Sequence, residues 1–359
     1  MLTEKEVEEI REHLDRAQNP VFFFDNDNDG LCSFLLLQRY IERGKGVAIK
    51  SFPALDAEYF RKVQELNADY IFILDKAVIS EEFWEKVGQV NIPVVWIDHH
   101  KTQGKIPDFV NYYNPLLNKE TVQEILSKHK MGEPVTYICY KITQKKEDLW
   151  LATLGCISDR FLPDFYPEFK KKYPDLIIDS ENVFDIAFKS KLGKLADLLD
   201  LALKDRTTNV VNMMKYLRVV KTPYEIFEEN TKNYSMHKRY KEVSSKYKKI
   251  LNKAILLGNK SGKILFFQYG GDLSLSSNLS NELSYLFPEK ILVVAYLSGA
   301  KVSLSIRGEK IRDLLLESIK DLKNSSGGGH ENACGATVQM EDLEKFKENL
   351  ELIVENRNV

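Results

Sequence analysis

The stretch PVFFFDNDNDG, residues 20–30, decides how the chain is read. It runs an apolar segment fit for burial directly into three acids, Asp25, Asp27 and Asp29, within five residues. Burying like charges without partners costs on the order of several kcal/mol each. Positive charge must therefore be supplied there. Gly30 follows at once and frees the backbone to turn tightly into the next element.

Outward from this stretch the pattern repeats. A helix is expected over residues 3–17, with Val7, Ile10 and Leu14 on one side, and another from about Leu31 to Arg43. The runs VAIKSF, YIFIL and PVVWI read as further strands, with helices near 56–67 and 80–88. Unbroken apolar runs of four or five residues between helices mark parallel strands covered on both faces. From about 117 to 255 the chain turns helical, through ETVQEILSKHK, PVTYICYKITQ, LWLATLGCIS, IAFKSKLGKLADLLDLALK and a long segment from about 223 to 253. Beyond 255 the segments AILLG, KILFFQYG, KILVVAYLS and KVSLSIRG predict strands. A helix near 309–323, the glycine-rich SSGGGHENACGATVQM and a helix over 341–356 complete a second α/β unit.

The 359 residues suffice for two or three domains, and 43% apolar with 29% charged residues is ordinary for a globular protein. A net charge of −2 excludes indiscriminate nucleic-acid binding through bulk charge, leaving room for a local basic face. One such face runs from Lys232 to Lys253, where eight Lys or Arg residues meet Glu242 alone and alternate with Tyr234, Tyr240 and Tyr247. This is either a solvated helix face or a track for a phosphate backbone. Cys32, Cys139, Cys156 and Cys334 form no CxxC pair and read as reduced structural thiols. The charged N-terminus lacks an apolar signal core and no stretch is long enough to span a membrane, so a cytoplasmic location is expected.

Three strands end alike: one at Asp25, Asp27 and Asp29, one at Asp75, one at Asp98, His99 and His100. In an open parallel sheet the ligand crevice lies beyond the carboxyl ends of the strands, so these ends should share one rim. Asp159, ending a helix in LGCISDRF, can reach the same place. Imidazole mixed with carboxylate suits manganese, zinc or iron better than calcium. An EF-hand is set aside, because position twelve counted from Asp25 is Leu36 and a strand precedes the loop. The number of acids implies two divalent ions, about 3.5–4 Å apart, able to share a bridging carboxylate and to assist phosphoryl displacement.

With these residues in view, the sequence resembles the DHH phosphoesterase superfamily, named for the triplet standing here as Asp98-His99-His100. The motifs DNDNDG, LDKA, DHHK and GCISD occur in order, and GGGHENACGATV is similar to the signature of the DHH-associated domain of the RecJ-like and nano-RNase branches. The resemblance implies an N-terminal parallel-sheet catalytic domain over 1–165, a helical connector over 166–254 and a smaller α/β substrate domain over 255–359, with the active site in a cleft between the outer two. It implies metal ligation by Asp27, Asp29, Asp75, His99 and Asp159, with Asp75 the bridge and Asp25 a ligand or close neighbour. His100 is expected to face the scissile phosphate and Asp98 to orient the histidines. Gly327, Gly328, Gly329 and His330 are expected to hold substrate through a glycine turn, and Arg307 to grip phosphate. Asn28 and Cys334 stand where alanine is usual, and both are small.

The implied activity is a manganese-dependent phosphodiesterase, with Mg²⁺ or Co²⁺ as possible substitutes. It would shorten single-stranded DNA or RNA from one end and release nucleoside monophosphates. The alternative is the same chemistry on short oligonucleotides, as in nano-RNases or hydrolases of pApA. A scaffold bound to a replication or repair protein ranks below both. Family II pyrophosphatases lack the GGGH signature. Nothing in the sequence fixes oligomeric state.

Overall fold

The computed structural model describes residues 1–51, 54–101, 104–118 and 132–357. The chain folds into two compact units, Met1–Tyr240 and Lys241–Val359.

The first unit contains β1 (Pro20–Asp25), β2 (Lys45–Ile49), β3 (Ala54–Leu55), β4 (Tyr70–Leu74), β5 (Val78–Ile79), β6 (Val94–Ile97) and β7 (Val110–Tyr113). Five of them form one sheet in the order β2-β1-β4-β6-β7, every neighbouring pair parallel, and β3 pairs with β5 in a small separate ladder. Alternate side chains of β1 enter different cores. Phe22 and Phe24 pack with the helices Glu4–Arg16, Asn28–Ile41, Val135–Thr143 and Leu149–Ser158, while Val21 and Phe23 pack with Phe60, Val63 and Phe83. This two-sided burial makes an unbroken apolar run the right sequence for a central parallel strand. Helices Val183–Lys189, Lys191–Leu203 and Thr207–Leu217 contribute to the first of these cores.

The second unit holds β8 (Ile264–Gly270), β9 (Ile291–Ser298), β10 (Lys301–Arg307), β11 (Ser326–Gly329) and β12 (Ala333–Gln339), ordered β11-β12-β10-β9-β8. Only the β8–β9 pair is parallel. A tight two-residue hairpin at Gly299 (φ 61) and Ala300 joins β9 to β10, a turn whose left-handed backbone favours glycine. Helices Ile311–Ile319 and Leu343–Arg357 cover one face through Leu314, Leu315, Phe346 and Leu350. Helix Ser276–Leu286 lies on the other, where Ser280 Oγ meets Ser305 Oγ at 2.9 Å. Among the described residues no helix is long and apolar enough to cross a membrane.

The expected α/β architecture is present, with several local corrections. AILLG is the end of a helix, Tyr234–Gly258, not a strand. Its apolar residues keep helical spacing: Leu251, Ala254 and Gly258 are buried, whereas Leu256 is 65% exposed, as no residue of a central strand would be. The run IAFKSKLGKLADLLDLALK is two helices, broken at Ser190, whose hydroxyl caps the second through Gly193 N–H at 3.0 Å. Strand β7 and helix Ser276–Leu286 gave weak sequence signals, the latter because Leu279 and Leu283 are separated by polar residues. ETVQEILSKHK lies outside the described residues.

Phe24 is fully buried and stacks on Phe34 with ring centroids 5.0 Å apart. Phe24→Ala should lower the stability of the first unit by about 3–5 kcal/mol, measured by denaturant unfolding. A loss below about 1 kcal/mol would contradict the packing described.

Candidate metal centre

Because β1, β4 and β6 are parallel neighbours, Asp25 at the end of β1, Asp75 after β4 and Asp98 after β6 meet on one rim of the sheet. Each acid beyond them is fixed by an ordinary local device. Asp27 is the N-cap of Asn28–Ile41, accepting from Gly30 N–H at 2.9 Å. A Cβ on Gly30 would lie 2.3 Å from the Asp25 carbonyl oxygen, so only glycine fits there. Asp29 accepts from the backbone N–H groups of Val135 (3.0 Å) and Thr136 (2.7 Å), at the start of the helix Val135–Thr143. Asp159 ends Leu149–Ser158, which approaches closely because a side chain at Gly155 would lie 2.4 Å from Thr136 Oγ1.

The histidines tie these acids together. His99 Nε2 lies 3.3 Å from Asp75 Oδ1 and 4.0 Å from Asp29 Oδ2, and its Nδ1 lies 4.0 Å from Asp159 Oδ2. His100 Nδ1 donates to Asp98 Oδ1 at 2.8 Å and lies 3.8 Å from Asp75 Oδ1. Donor atoms thus gather in two groups, Asp29-His99-Asp159 and Asp75-Asp98-His100, each spanning no more than 4.8 Å. Ligands about 2.1 Å from one small ion are themselves roughly 3–4 Å apart, a spacing that His99 keeps from Asp29, Asp75 and Asp159, whereas in the second group His100 Nδ1 is engaged by Asp98 and Asp75 is the acid left to bind an ion.

Electrostatics point the same way. Burial, reinforced by the charges of Asp25 and Asp29, pushes Asp27 up to about 7. Asp75 and Asp159 are held well above the carboxylate range, first by burial and then by neighbouring acids that include Asp29 and Asp27. Asp29 is also raised by burial, against the pull of its hydrogen bonds from Thr136 and Val135. Buried Asp75 Oδ1 accepts no hydrogen bond from the described residues. Acids that resist ionisation and a buried acceptor without a donor fit cations bound among them.

All eight residues expected at this rim are brought together. Sequence reasoning missed two contributors. Lys76 is buried and donates to Asp25 Oδ1 at 2.8 Å. Asn28 donates to Ser158 Oγ (3.1 Å) and the Ala196 carbonyl (2.9 Å), locking the acid-bearing turn to two helices. Adjacency to Asp75 in LDKA was the only available hint for Lys76.

In the second unit, Arg307 ends β10 opposite Ala333 of β12, and Gly329 of β11 pairs with Cys334, so Arg307 and the glycines share one end of that sheet. Arg307 Nε donates to Asn281 Oδ1 at 2.8 Å and Nη1 to the carbonyls of Ile306 and Cys334. The expected glycine turn needs correction: Gly327, Gly328 and Gly329 form edge strand β11, and the turn begins at His330, whose N–H donates to the Ala333 carbonyl at 2.9 Å. Small residues are required because a Cβ on Gly327 would sit 3.0 Å from Ala336 Cβ, and one on Gly329 (φ 134) 2.5 Å from the Ala333 oxygen.

A pH dependence follows for the metal-free protein. Folded Asp27 keeps its proton from its ordinary 3.8 up to about 7, so its contribution to stability fades as pH rises through that window. Burial lowers His100, but the charge and hydrogen bond of Asp98, with the charges of Asp159 and Asp25, together outweigh it and lift the imidazole from 6.5 to about 9. Its contribution is complete below 6.5 and lost as pH rises through 9. Melting in a chelator should therefore occur at lower temperature at pH 9 than at pH 6, with a smaller drop in Asp98→Asn. Equal melting temperatures at both pH values would refute this charge arrangement.

Comparison with known proteins places this geometry. Residues 21–155 match the DHH family, N-terminal domain, and residues 241–356 match the DHHA1 domain. No curated protein matches the sequence significantly. RecJ from Thermus thermophilus in complex with Mn²⁺ superposes with a TM-score of 0.69 at 13% identity, over 98% of this chain and 54% of RecJ. The DHH domain of a protein assigned to a family of ribosomal proteins gives 0.68 at 16% identity, over 98% and 89%. An exonuclease RecJ bound to manganese gives 0.58 at 13% identity, over 98% and 94%. The chain thus spans about half the length of the Thermus RecJ, and at these identities the likeness is one of fold. With both domains matched in order over most of its length, the chain belongs to the DHH superfamily and is RecJ-like in fold.

Proposed function

We propose that the protein is a two-metal phosphodiesterase that shortens single-stranded DNA or RNA from one end and releases nucleoside monophosphates. One observation carries this reading: carboxylates from three separate elements approach the ring nitrogens of His99 to within 4.0 Å, and Asp75 lies within reach of both donor groups. Asp27, Asp29, Asp75, His99 and Asp159 would hold two divalent ions. Bound there, such a pair lowers the pKa of an attacking water and neutralises charge on phosphoryl oxygens. The mixed nitrogen and oxygen donors suit Mn²⁺. Mg²⁺ is a reasonable substitute, since the Thermus RecJ is also seen in complex with that ion.

The remaining groups act through charge and hydrogen bonding. Asp98 fixes His100 through Nδ1 and favours its protonated form, so that the imidazolium would donate to a phosphoryl oxygen. Arg307 offers a planar fork for phosphate, and the outer edge of β11 offers backbone N–H groups beside His330. We assign the metal chemistry to residues 1–165 and the grip on substrate to 255–359.

A second reading, the same chemistry on short oligonucleotides, is favoured by the basic helix. Lys246 pairs with Asp272 at 2.8 Å and the Tyr247 hydroxyl donates to Glu282 at 2.5 Å, so part of the supposed strand track is used internally. Incubation with Mn²⁺ and end-labelled DNA and RNA of 2 to about 30 nucleotides (a range spanning one to several binding sites) separates the readings. The first expects stepwise shortening of long strands, the second cleavage of the shortest alone. Asp75→Ala should cut either activity by at least about 100-fold without unfolding the chain. Unchanged hydrolysis in that variant would end the two-metal reading.

A further inference from the structure

The acid cluster contains a cation that belongs to the protein. Lys76 is buried, its side chain only 4% exposed, and lysine is almost never buried without a partner. Its ammonium donates to Asp25 Oδ1 at 2.8 Å and to the Ser51 carbonyl at 3.2 Å. The backbone around it is fixed from β6: Trp96 Nε1 donates to the Lys76 carbonyl at 3.0 Å, and the Asp75 N–H donates to the Ile97 carbonyl at 3.0 Å. Asp75 itself adopts φ 56, which costs a non-glycine residue about 1 kcal/mol. With that turn, consecutive residues serve opposite partners: Asp75 meets His99, and Lys76 meets the acid of the neighbouring strand. The acid so engaged is a more open one, Asp25 being 36% exposed where the side chains of Asp29 and Asp75 are 3% and 4% exposed.

We propose that Lys76 is a permanent positive charge of the metal centre that withholds Asp25 from the divalent ions. It is a positioning residue, acting through Asp25 rather than on substrate. The inference rests on the two-metal reading and sharpens it by giving Asp25, expected as a ligand or a close neighbour, a partner within the protein that keeps it out of the ligand set. Its consequence has an unusual sign: deleting Lys76 makes the site more negative and so more attractive to a divalent ion.

Mn²⁺ titration calorimetry on the full-length, chelator-stripped protein tests this without measuring turnover. Lys76→Met should bind Mn²⁺ at least about fivefold more tightly. Asp25→Asn, which leaves the ammonium uncompensated, should bind at least about fivefold more weakly. The double variant should return to within about twofold of wild type, as expected when two charges compensate, and Lys76→Arg should retain wild-type affinity. If Asp25→Asn and the double variant are weakened equally, Asp25 is a ligand and the inference is wrong. Weaker binding by Lys76→Met with unchanged melting in chelator would also overturn it. If Lys76→Met fails to melt cooperatively, the comparison of Asp25→Asn with the double variant decides: equal affinities refute the pairing, and tighter binding by the double supports it. Wild-type protein that binds no Mn²⁺ would remove the two-metal reading itself, an outcome distinct from all of these.

Discussion

Mutual repulsion among carboxylates governs this structure. Asp25, Asp27, Asp29, Asp75, Asp98 and Asp159 are drawn to one rim by strands and helices that have strong independent reasons to fold as they do. The hydrophobic contacts of β1, β4 and β6 cannot be rearranged to separate the acids without exposing Phe22, Phe24, Ile71 or Ile73. Burial of apolar surface therefore imposes a concentration of negative charge that water does not relieve. The Lys76 ammonium and the His100 imidazole beside Asp98 offset part of it, and the divalent ions of the proposed function would offset more.

The same constraint explains why the supporting residues are so small or so committed. Gly30 and Gly155 are places where a methyl group would collide with backbone or with Thr136, and each lets an acid-bearing element come close. Asp27 and Asp29 each serve twice, capping helix N-termini while contributing charge. A helix start attracts anions, so these positions lower the cost of holding two acids near each other. Asn28 adds a lock between the acid turn and the helices Leu149–Ser158 and Lys191–Leu203. Rigidity matters to the proposed function, because its donor atoms would have to hold a small ion without moving.

The second unit gathers neutral and positive groups at one end of its sheet, where the proposed function places an anion. Arg307 is oriented by Asn281 and two carbonyls, and a glycine edge strand ends beside it at His330. Gly327 and Gly329 serve the packing of β11 on β12. A strand with Cβ atoms there would be pushed away from Ala336 and the Ala333 carbonyl.

Much of this was legible in the sequence. PVFFF, YIFIL and PVVWI could hardly be anything but central parallel strands, and parallel strands put their carboxyl ends on one rim, so the convergence of Asp25, Asp75 and Asp98 followed from period and order alone. What failed in the sequence was local and had local causes. AILLG has the composition of a strand, and only the helical spacing of its burial reveals its true state. GGGH reads as a turn because glycine favours turns, yet here the small side chain is needed for close strand pairing. Tertiary structure alone decided the pairing of charges. A lysine following an aspartate is unremarkable as sequence. That its ammonium reaches a carboxylate fifty-one positions earlier depends on β1 and β4 being neighbours and on the left-handed turn at Asp75, because long-range electrostatics are set by the fold and not by spacing along the chain.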